Sequence, residues 1–186
     1  MAMATARSLR VWPLPLRLTH GALATCVIGC GLLYQGGHWH EWLGYGALAL
    51  AALRLGAGVV GPGRNSPARF ARFVHGPRGT LAYARQVAAG TEPRHVGHNP
   101  LGAWMMLALL AGAVLAAGAG ALYVTDRFWG DEAIWRLHAV AGWTVLALVP
   151  LHVAGALMAS RRHGENLVRA MVDGKKRPPA GTDIPP

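Results

Sequence analysis

The sequence predicts an all-α membrane protein, a bundle of four transmembrane helices with both termini in the cytoplasm. Three observations predict this fold class. Hydrophobic residues make up 53% of the 186 residues and charged residues only 14%, whereas a typical soluble chain has about 25% charged residues. Four apolar segments are each long enough to cross a bilayer. The net charge of +10 is concentrated in the connections on one side of these segments.

Each predicted membrane segment contains about 20 or more mostly apolar residues, enough for a hydrocarbon core of roughly 30 Å. The segments are 14–34, 41–60, 100–124 and 133–159. The connection between the first two is short, so we expect them to form an antiparallel hairpin. Asn99 and Pro100 are a favoured cap residue and a favoured first helical residue, which places the start of the third segment.

The remaining parts of the chain are predicted to lie outside the membrane. They are an N-terminal segment at 1–13, a loop at 61–99 within the membrane domain of residues 14–159, and a basic tail at 160–186. Within the loop, residues 78–89 predict a short surface helix. The tail contains four prolines, and we expect its last ten residues to be loosely ordered.

The distribution of basic residues predicts the orientation of the bundle. Sixteen of the 18 Lys and Arg residues fall on the side of the two termini, and only Arg127 and Arg136 fall on the other side. By the positive-inside rule, both termini lie in the cytoplasm of a multi-pass protein in the bacterial inner membrane. Orientation in a lipid membrane therefore explains the excess of basic residues, and no nucleic-acid partner is indicated. The opposite face is mildly acidic, with Glu41, Asp126, Asp131 and Glu132.

Histidines inside or at the ends of membrane helices suggest a function, because ionisable groups are costly there. His138 and His152 are 14 residues apart on the fourth segment, which separates them by about 21 Å and keeps them within about 40° of one helix face. His20 lies at the depth of His152. His40 lies at the depth of His138, although its neighbour His38 competes with it and spacing cannot separate the two.

Two histidine pairs at two depths suit two metal centres with axial imidazole ligands. Noncovalent haem b fits this arrangement, and the sequence has no CxxCH motif for covalent haem attachment. The alternative is that each histidine makes a hydrogen bond between helices. Histidines in the cytoplasmic loops are expected to be solvated, namely His75, His95, His98 and His163.

Other residues near these depths are candidates for the same sites. Arg54 follows His40 by 14 residues, and we consider it, with Arg17, a partner for haem propionates; the positive-inside rule is the alternative explanation for both. Gly44 and Gly142 each follow a histidine by four residues. They leave room for a macrocycle edge or allow close helix packing.

Several motifs in order along residues 11–177 resemble the bacterial cytochrome b561 family. This family comprises four-helix di-haem membrane cytochromes related to the b-type subunits of nickel-iron hydrogenases. The motifs are VWPLPLRLTH, HEWLG, LRLGAGVVG, ARFARFVHGP, GHNPLGAWMM, LHAVAG, LHVAG and ENLVRAMVDGKKR. The resemblance implies that His20 and His152 ligate one haem and that His40, rather than His38, and His138 ligate the other.

The resemblance also implies a role for His98, which would contact a propionate or border a quinone pocket; the capping role of Asn99 explains the motif GHNPLG equally well. The expected function is electron transfer across the inner membrane between the quinone pool and a periplasmic or membrane redox partner, such as a c-type cytochrome. Whether the protein is also an enzyme, as a quinone oxidoreductase, stays open.

Two alternative functions belong to different classes. One is a superoxide oxidase that passes electrons to quinone, for which a mildly acidic outer face is unfavourable because superoxide is an anion. The other contains no haem and uses the histidines as a proton relay or as packing in a membrane anchor.

Overall fold

The computed structural model describes residues 8–61 and 69–185, which are mostly helical. The elements in chain order are β1 (Leu9–Arg10), α1 (Leu14–Leu32), α2 (His38–Val59), α3 (Pro77–Ala89), α4 (Pro100–Tyr123), α5 (Glu132–Arg162), α6 (Leu167–Asp173) and β2 (Lys175–Lys176). A single 3-10 turn at Phe70–Arg72 follows α2. The two strands pair with each other in antiparallel fashion.

Three helices in the described part of the chain are long and apolar enough to cross a membrane, namely α2, α4 and α5. They coincide with the second, third and fourth predicted segments. The first predicted segment is also a helix, α1, with 19 residues and a length of about 28 Å. Its first half carries Arg17 and His20, which lower its hydropathy below that of the other three.

Helices α1, α2, α4 and α5 form a bundle in which each packs on its neighbours. Helix α1 contacts α2 and α5, and α4 contacts α2 and α5. Glycines permit close approach: a Cβ atom on Gly112 would lie 2.7 Å from Val145, and one on Gly31 would lie 2.6 Å from Leu146. Large apolar side chains that point away from the bundle are more than half exposed, including Leu18, Leu53, Val140 and Leu151. Such an apolar exterior fits a lipid environment.

Side-chain caps define the start of two helices. The Asn99 Oδ1 atom accepts a hydrogen bond of 2.7 Å from the Gly102 amide at the start of α4, which confirms the predicted cap. The Asp131 Oδ1 atom accepts bonds from the amides of Ala133 and Ile134 at 2.9 and 3.1 Å. Helix α5 ends three residues later than the predicted segment, at Arg162.

The predicted surface helix is confirmed as α3, which packs against α4. The Trp104 indole N–H of α4 donates to the His75 carbonyl at 3.0 Å and to the Thr80 hydroxyl at 3.1 Å. Tyr83 is buried beneath α3; burial, together with the nearby Glu92, raises its pKa to about 12.

The prediction that His95 is solvated was wrong. Its ring is partly buried and lies 5.2 Å, centroid to centroid, from the ring of Tyr83. Burial lowers the pKa of His95 to about 4, with smaller contributions from His75, His163 and Lys176. No local pattern predicts this burial, because the contact joins a loop residue to Tyr83 on the inner face of α3.

The prediction of a loosely ordered C-terminal end was also wrong for the residues up to 185. The Val96 amide donates to the Ile184 carbonyl at 2.9 Å, and the Ile184 amide donates to the Arg94 carbonyl at 2.8 Å. Strand β2 pairs with β1, with Leu9 opposite Lys176. The tail therefore returns to the 61–99 loop and the N-terminal segment, and all three meet at one end of the bundle.

Candidate functional site

Two of the predicted histidines, which we call the outer pair, meet at the end of the bundle near the start of α5. The ring centroids of His40 and His138 are 5.8 Å apart. The His40 Nδ1 atom lies 3.2 Å from the Cys30 carbonyl oxygen of α1, and the His138 Nδ1 atom lies 2.8 Å from the Ala116 carbonyl oxygen of α4. Because a carbonyl only accepts, each Nδ1 carries the proton and each Nε2 keeps its lone pair for a ligand.

Glycines shape the surroundings of the outer pair in two ways. A Cβ atom on Gly120 of α4 would lie 2.9 Å from Nδ1 and 3.0 Å from Cε1 of His138, so only glycine lets this ring approach α4. By contrast, a Cβ atom on Gly44 or Gly142 would meet nothing within 4 Å. Close helix packing therefore does not explain these two glycines, and the alternative, room for a macrocycle edge, stays a prediction.

His38 does not join the outer pair. Its Nε2 atom accepts a hydrogen bond of 2.9 Å from the Trp42 indole N–H, one helical turn along α2. Its ring also lies against Trp39 and Trp42. The imidazole is thus occupied with the aromatic residues of its own helix.

The other two predicted histidines, the inner pair, meet at the opposite end of the bundle. The ring centroids of His20 on α1 and His152 on α5 are 6.3 Å apart. A bond from a metal to an imidazole nitrogen is about 2.0–2.1 Å, so a metal ion held between two rings separates their centroids by about 6 Å. Both pairs fit this requirement, and the neutral Nε2 atoms of the outer pair are suitable donors.

The two predicted arginines lie at the same end of the bundle as the inner pair. The Arg17 guanidinium donates through Nη1 to the Val172 carbonyl oxygen, and its Nε is buried without a hydrogen-bond partner in the described part of the chain. A carboxylate is the acceptor that such a buried N–H group favours. The Arg54 guanidinium lies 4.8 Å from the centre of the Phe70 ring and donates to the Met106 sulfur at 3.6 Å.

His98 lies between two aromatic rings beside the inner pair. It stacks on Phe73 with centroids 4.2 Å apart and contacts the edge of Trp12 at 4.7 Å. Burial lowers the pKa of His98 to about 3, and the nearby Arg54, Lys176 and His152 contribute to the shift. The imidazole is therefore neutral at physiological pH, and the prediction that His98 is solvated was wrong, because its ring packs between Phe73 and Trp12. The structure thus brings all five predicted inner residues to one end of the bundle, namely His20, His152, Arg17, Arg54 and His98.

Sequence reasoning missed the residues that support this inner end. Trp12 and Phe73 lie within motifs already noted, VWPLPLRLTH and ARFARFVHGP, but nothing in their spacing shows that both contact His98. The contact of Arg17 with Val172 joins residues 155 positions apart. No local pattern in the sequence carries such information.

The bundle thus holds one histidine pair at each of its two ends. A family model described as prokaryotic cytochrome b561 matches residues 11–174. The chain belongs to this family. The match runs from the N-terminal segment to the end of α6 and includes both histidine pairs, so the resemblance stated above is confirmed. No curated protein sequence matches the chain.

Membership in the cytochrome b561 family defines the general function. The protein is a membrane b-type cytochrome that binds haem and transfers electrons. The apolar helices α2, α4 and α5 agree with a membrane location.

Proposed function

We propose that this cytochrome b561 holds two noncovalent haem b groups, one between His20 and His152 and one between His40 and His138. In this proposal the protein carries electrons across the inner membrane between the quinone pool and a periplasmic or membrane redox partner. The observation that supports it best is that two histidine rings approach each other at each end of the bundle. Helix α5 supplies one member of each pair, and its 14-residue spacing corresponds to about 21 Å.

The chain's own residues hold and insulate the two sites. Haem iron, when bound, supplies one-electron chemistry. The Nδ1 bonds to the Cys30 and Ala116 carbonyls fix the outer imidazoles in one tautomer and orientation. Arg17 and Arg54 place positive charge at the inner end, where they would pair with the propionate carboxylates of a bound haem. The surrounding helices keep water away because they present mainly apolar side chains to each other.

The proposed orientation has both termini in the cytoplasm. It requires four membrane spans, with α1 crossing the membrane in addition to α2, α4 and α5. Sixteen of the 18 basic residues then lie on the cytoplasmic side, as the positive-inside rule requires. A fluorescent protein that folds only in the cytoplasm, fused to the C-terminus, should be bright. Alkaline phosphatase inserted beside Arg127 should be active, because it would reach the periplasm. The reverse pattern would contradict the orientation.

Surface charge supports a protein partner on the outer side. The connection before α5 and its first turn expose Asp131 and Glu132, and Glu132 is paired with Arg136 at 2.5 Å. Mild acidity favours docking of a basic redox protein, such as a c-type cytochrome, over attraction of an anion such as superoxide. At the inner end we assign His98 to a propionate or to the border of a quinone pocket, because its ring packs on Phe73 and Trp12 and the charges of Arg54 and His152 act on it.

Haem stoichiometry tests the main proposal. A pyridine haemochrome assay on the purified protein should give two haem b per chain. The variants His40→Ala and His138→Ala should remove the same spectral component, and His20→Ala and His152→Ala should remove the other. His38→Ala is the matched control and should keep both, since its ring pairs with Trp42. A single haem per chain, or loss of one shared component in the His40 and His152 variants, would contradict the proposal.

A further inference from the structure

The C-terminal segment of residues 166–185, which we call the cytoplasmic cap, packs against the inner end of the bundle. Its last part, residues 175–185, lies beyond the region that the family model matches. The amides of Val11 and Trp12 both donate to the Gly174 carbonyl, at 2.9 and 3.2 Å. A small apolar core of Val11, Trp12, Val96 and Ala170 joins the N-terminal segment, the 61–99 loop and α6.

Buried charges fasten the cap to the loop. Arg94 is 4% exposed and forms ion pairs with Glu165 at 2.7 Å and with Asp183 at 2.6 Å. Lys176 is 7% exposed and pairs with Glu165 at 3.4 Å. Arg94 also donates to the Arg177 carbonyl at 2.8 Å. Two buried cations thus meet two carboxylates, and buried charges that are paired in this way hold their segments in one arrangement.

The cap contacts residues of the inner site directly. The Val172 carbonyl accepts a hydrogen bond from the Arg17 guanidinium. The Lys176 ammonium group lies 5.7 Å from the centre of the Trp12 ring, and Trp12 in turn contacts His98. Two series of contacts therefore connect the cap to the inner site. One includes Arg17, and the other includes Trp12 and His98.

Gly174 lies against residues of both series of contacts, namely Trp12 and Arg17. Its φ of +78° is the left-handed conformation that favours glycine. A Cβ atom on Gly174 would lie 2.6 Å from the Trp12 carbonyl oxygen and 3.4 Å from the Arg17 guanidinium. The first of these contacts is with backbone, which cannot move aside as the end of a flexible side chain can.

We propose that the cytoplasmic cap is part of the inner haem site, and that it positions Arg17 and His98 there through Gly174 and the Arg94 network. The outer pair is independent of the cap, because its ring nitrogens bond to carbonyls of α1 and α4. This inference rests on the proposed function, namely that the inner pair holds a haem. It makes Gly174, Arg94 and Asp183 positioning residues for the inner haem.

Gly174→Ala in the full-length protein tests the proposal, with Gly181→Ala as the matched control. Gly181 also has a left-handed φ, of +58°, but a Cβ atom there would meet nothing within 4 Å. The control therefore introduces a comparable backbone strain without the contact. Both purified variants would be titrated with reductant, following the two haem components by absorbance and electron paramagnetic resonance. Transfer of each haem to apomyoglobin would then be timed.

We expect Gly174→Ala to shift the midpoint potential and resonance of the component assigned to His20 and His152. We expect it to release that haem about tenfold faster, as loss of supporting contacts does at metal sites. The outer component of Gly174→Ala and both components of Gly181→Ala should stay unchanged. Unchanged inner properties, or equal shifts in both components, would overturn the proposal.

Asp183→Asn provides a second variant in case Gly174→Ala does not load haem. It keeps the size of the side chain and removes one charge from the Arg94 network, so it should produce a smaller inner shift of the same kind. If neither inner property moves in Asp183→Asn, the cap is not part of the inner site. A wild-type protein without two haem components would instead refute the proposed function itself.

Discussion

The outer and inner histidine pairs have the same chemistry but different support. Backbone carbonyls of α1 and α4 hold both outer rings, so the bundle alone orients them. The inner rings of His20 and His152 make no hydrogen bond through their nitrogens within residues 8–61 and 69–185. At that end Arg17 and His98 are instead held by tail, loop and N-terminal residues, namely Val172, Phe73 and Trp12. The outer site should therefore respond to changes in helix packing, and the inner site to changes in these segments.

The largest effect is expected from breaking the buried charge network. Glu165→Gln removes the carboxylate that pairs with both Arg94 and Lys176, and breaking a buried ion pair costs about 3–5 kcal/mol. The free energy of unfolding, measured in detergent with denaturant, should fall by about that amount. The inner haem should be lost first.

Glu132→Gln is the control for this change at the outer end. Its pair with Arg136 has both side chains at least two thirds exposed, and exposed pairs of this kind contribute below about 1 kcal/mol. Equal destabilisation by Glu132→Gln and Glu165→Gln would contradict the idea that buried ion pairs stabilise the inner end only.

A change in α4 should affect the outer pair alone. Gly120→Ala would place a Cβ atom 2.9 Å from the His138 Nδ1 atom and displace the ring from the Ala116 carbonyl. Loss of such a supporting bond weakens metal binding by about 10- to 100-fold, so apomyoglobin should extract the outer haem faster by a similar factor. Gly118→Ala on the same helix is the control, because its Cβ atom would meet nothing within 4 Å. Loss of the inner haem in Gly120→Ala would show that the two sites are coupled.

Removal of one charge should shift the inner site alone. Arg54→Gln takes a positive charge away from the inner end, which favours the oxidised, more positive state of a haem there. A unit charge about 8–16 Å away is worth about 1–2 kcal/mol at an effective dielectric constant near 20, so the inner midpoint potential should fall by about 40–90 mV. Redox titration measures it, and Arg85→Gln on the exposed side of α3 serves as the control. A fall in the outer potential instead would reverse the assignment of depths.

The smallest effect concerns pH. The pKa of His98 is about 3 in the folded protein, whereas an unfolded imidazole titrates near 6.5. Between these values the unfolded state binds more protons, so stability is present above pH 6.5 and is lost as pH falls. His95, with a pKa of about 4, acts in the same direction.

Lowering the pH from 7 to 5.5 should therefore destabilise the inner end, with about 1 kcal/mol of this loss coming from His98. The melting temperature of the inner component should fall over this range, and the fall should be smaller in His98→Phe. An identical pH response of the inner component in wild type and His98→Phe would exclude His98 as the cause.

The sequence was sufficient for the helices and for the depths of the histidines, because both follow from runs of apolar residues and from the regular rise of a helix. It placed Asn99 at a cap for the same local reason. The first segment is a helix as predicted, and its crossing of the membrane stays a prediction, since α1 is not among the helices that are long and apolar enough by composition alone. The structure adds which ring nitrogen carries the proton at His40 and His138, because this depends on carbonyls of other helices.

The contacts of the C-terminal tail could not be predicted from local sequence patterns. Its prolines and charges are typical of an exposed, loosely ordered segment, yet Asp183 pairs with Arg94, 89 positions away. Burial of Arg94 is favourable only because two carboxylates reach it, and neither is recognisable as a partner from its neighbours in sequence. The same holds for Gly120, whose importance lies in a ring on another helix.

Helix α5 carries His138 and His152 on one continuous element, and this has a consequence for how the protein can change over evolution. A single residue inserted between them would turn one imidazole by about 100° relative to the other and move it about 1.5 Å along the axis. One ring would then face lipid or a different helix. We therefore expect insertions and deletions to be excluded between the two histidines, whereas a substitution there leaves their relative position on the helix unchanged.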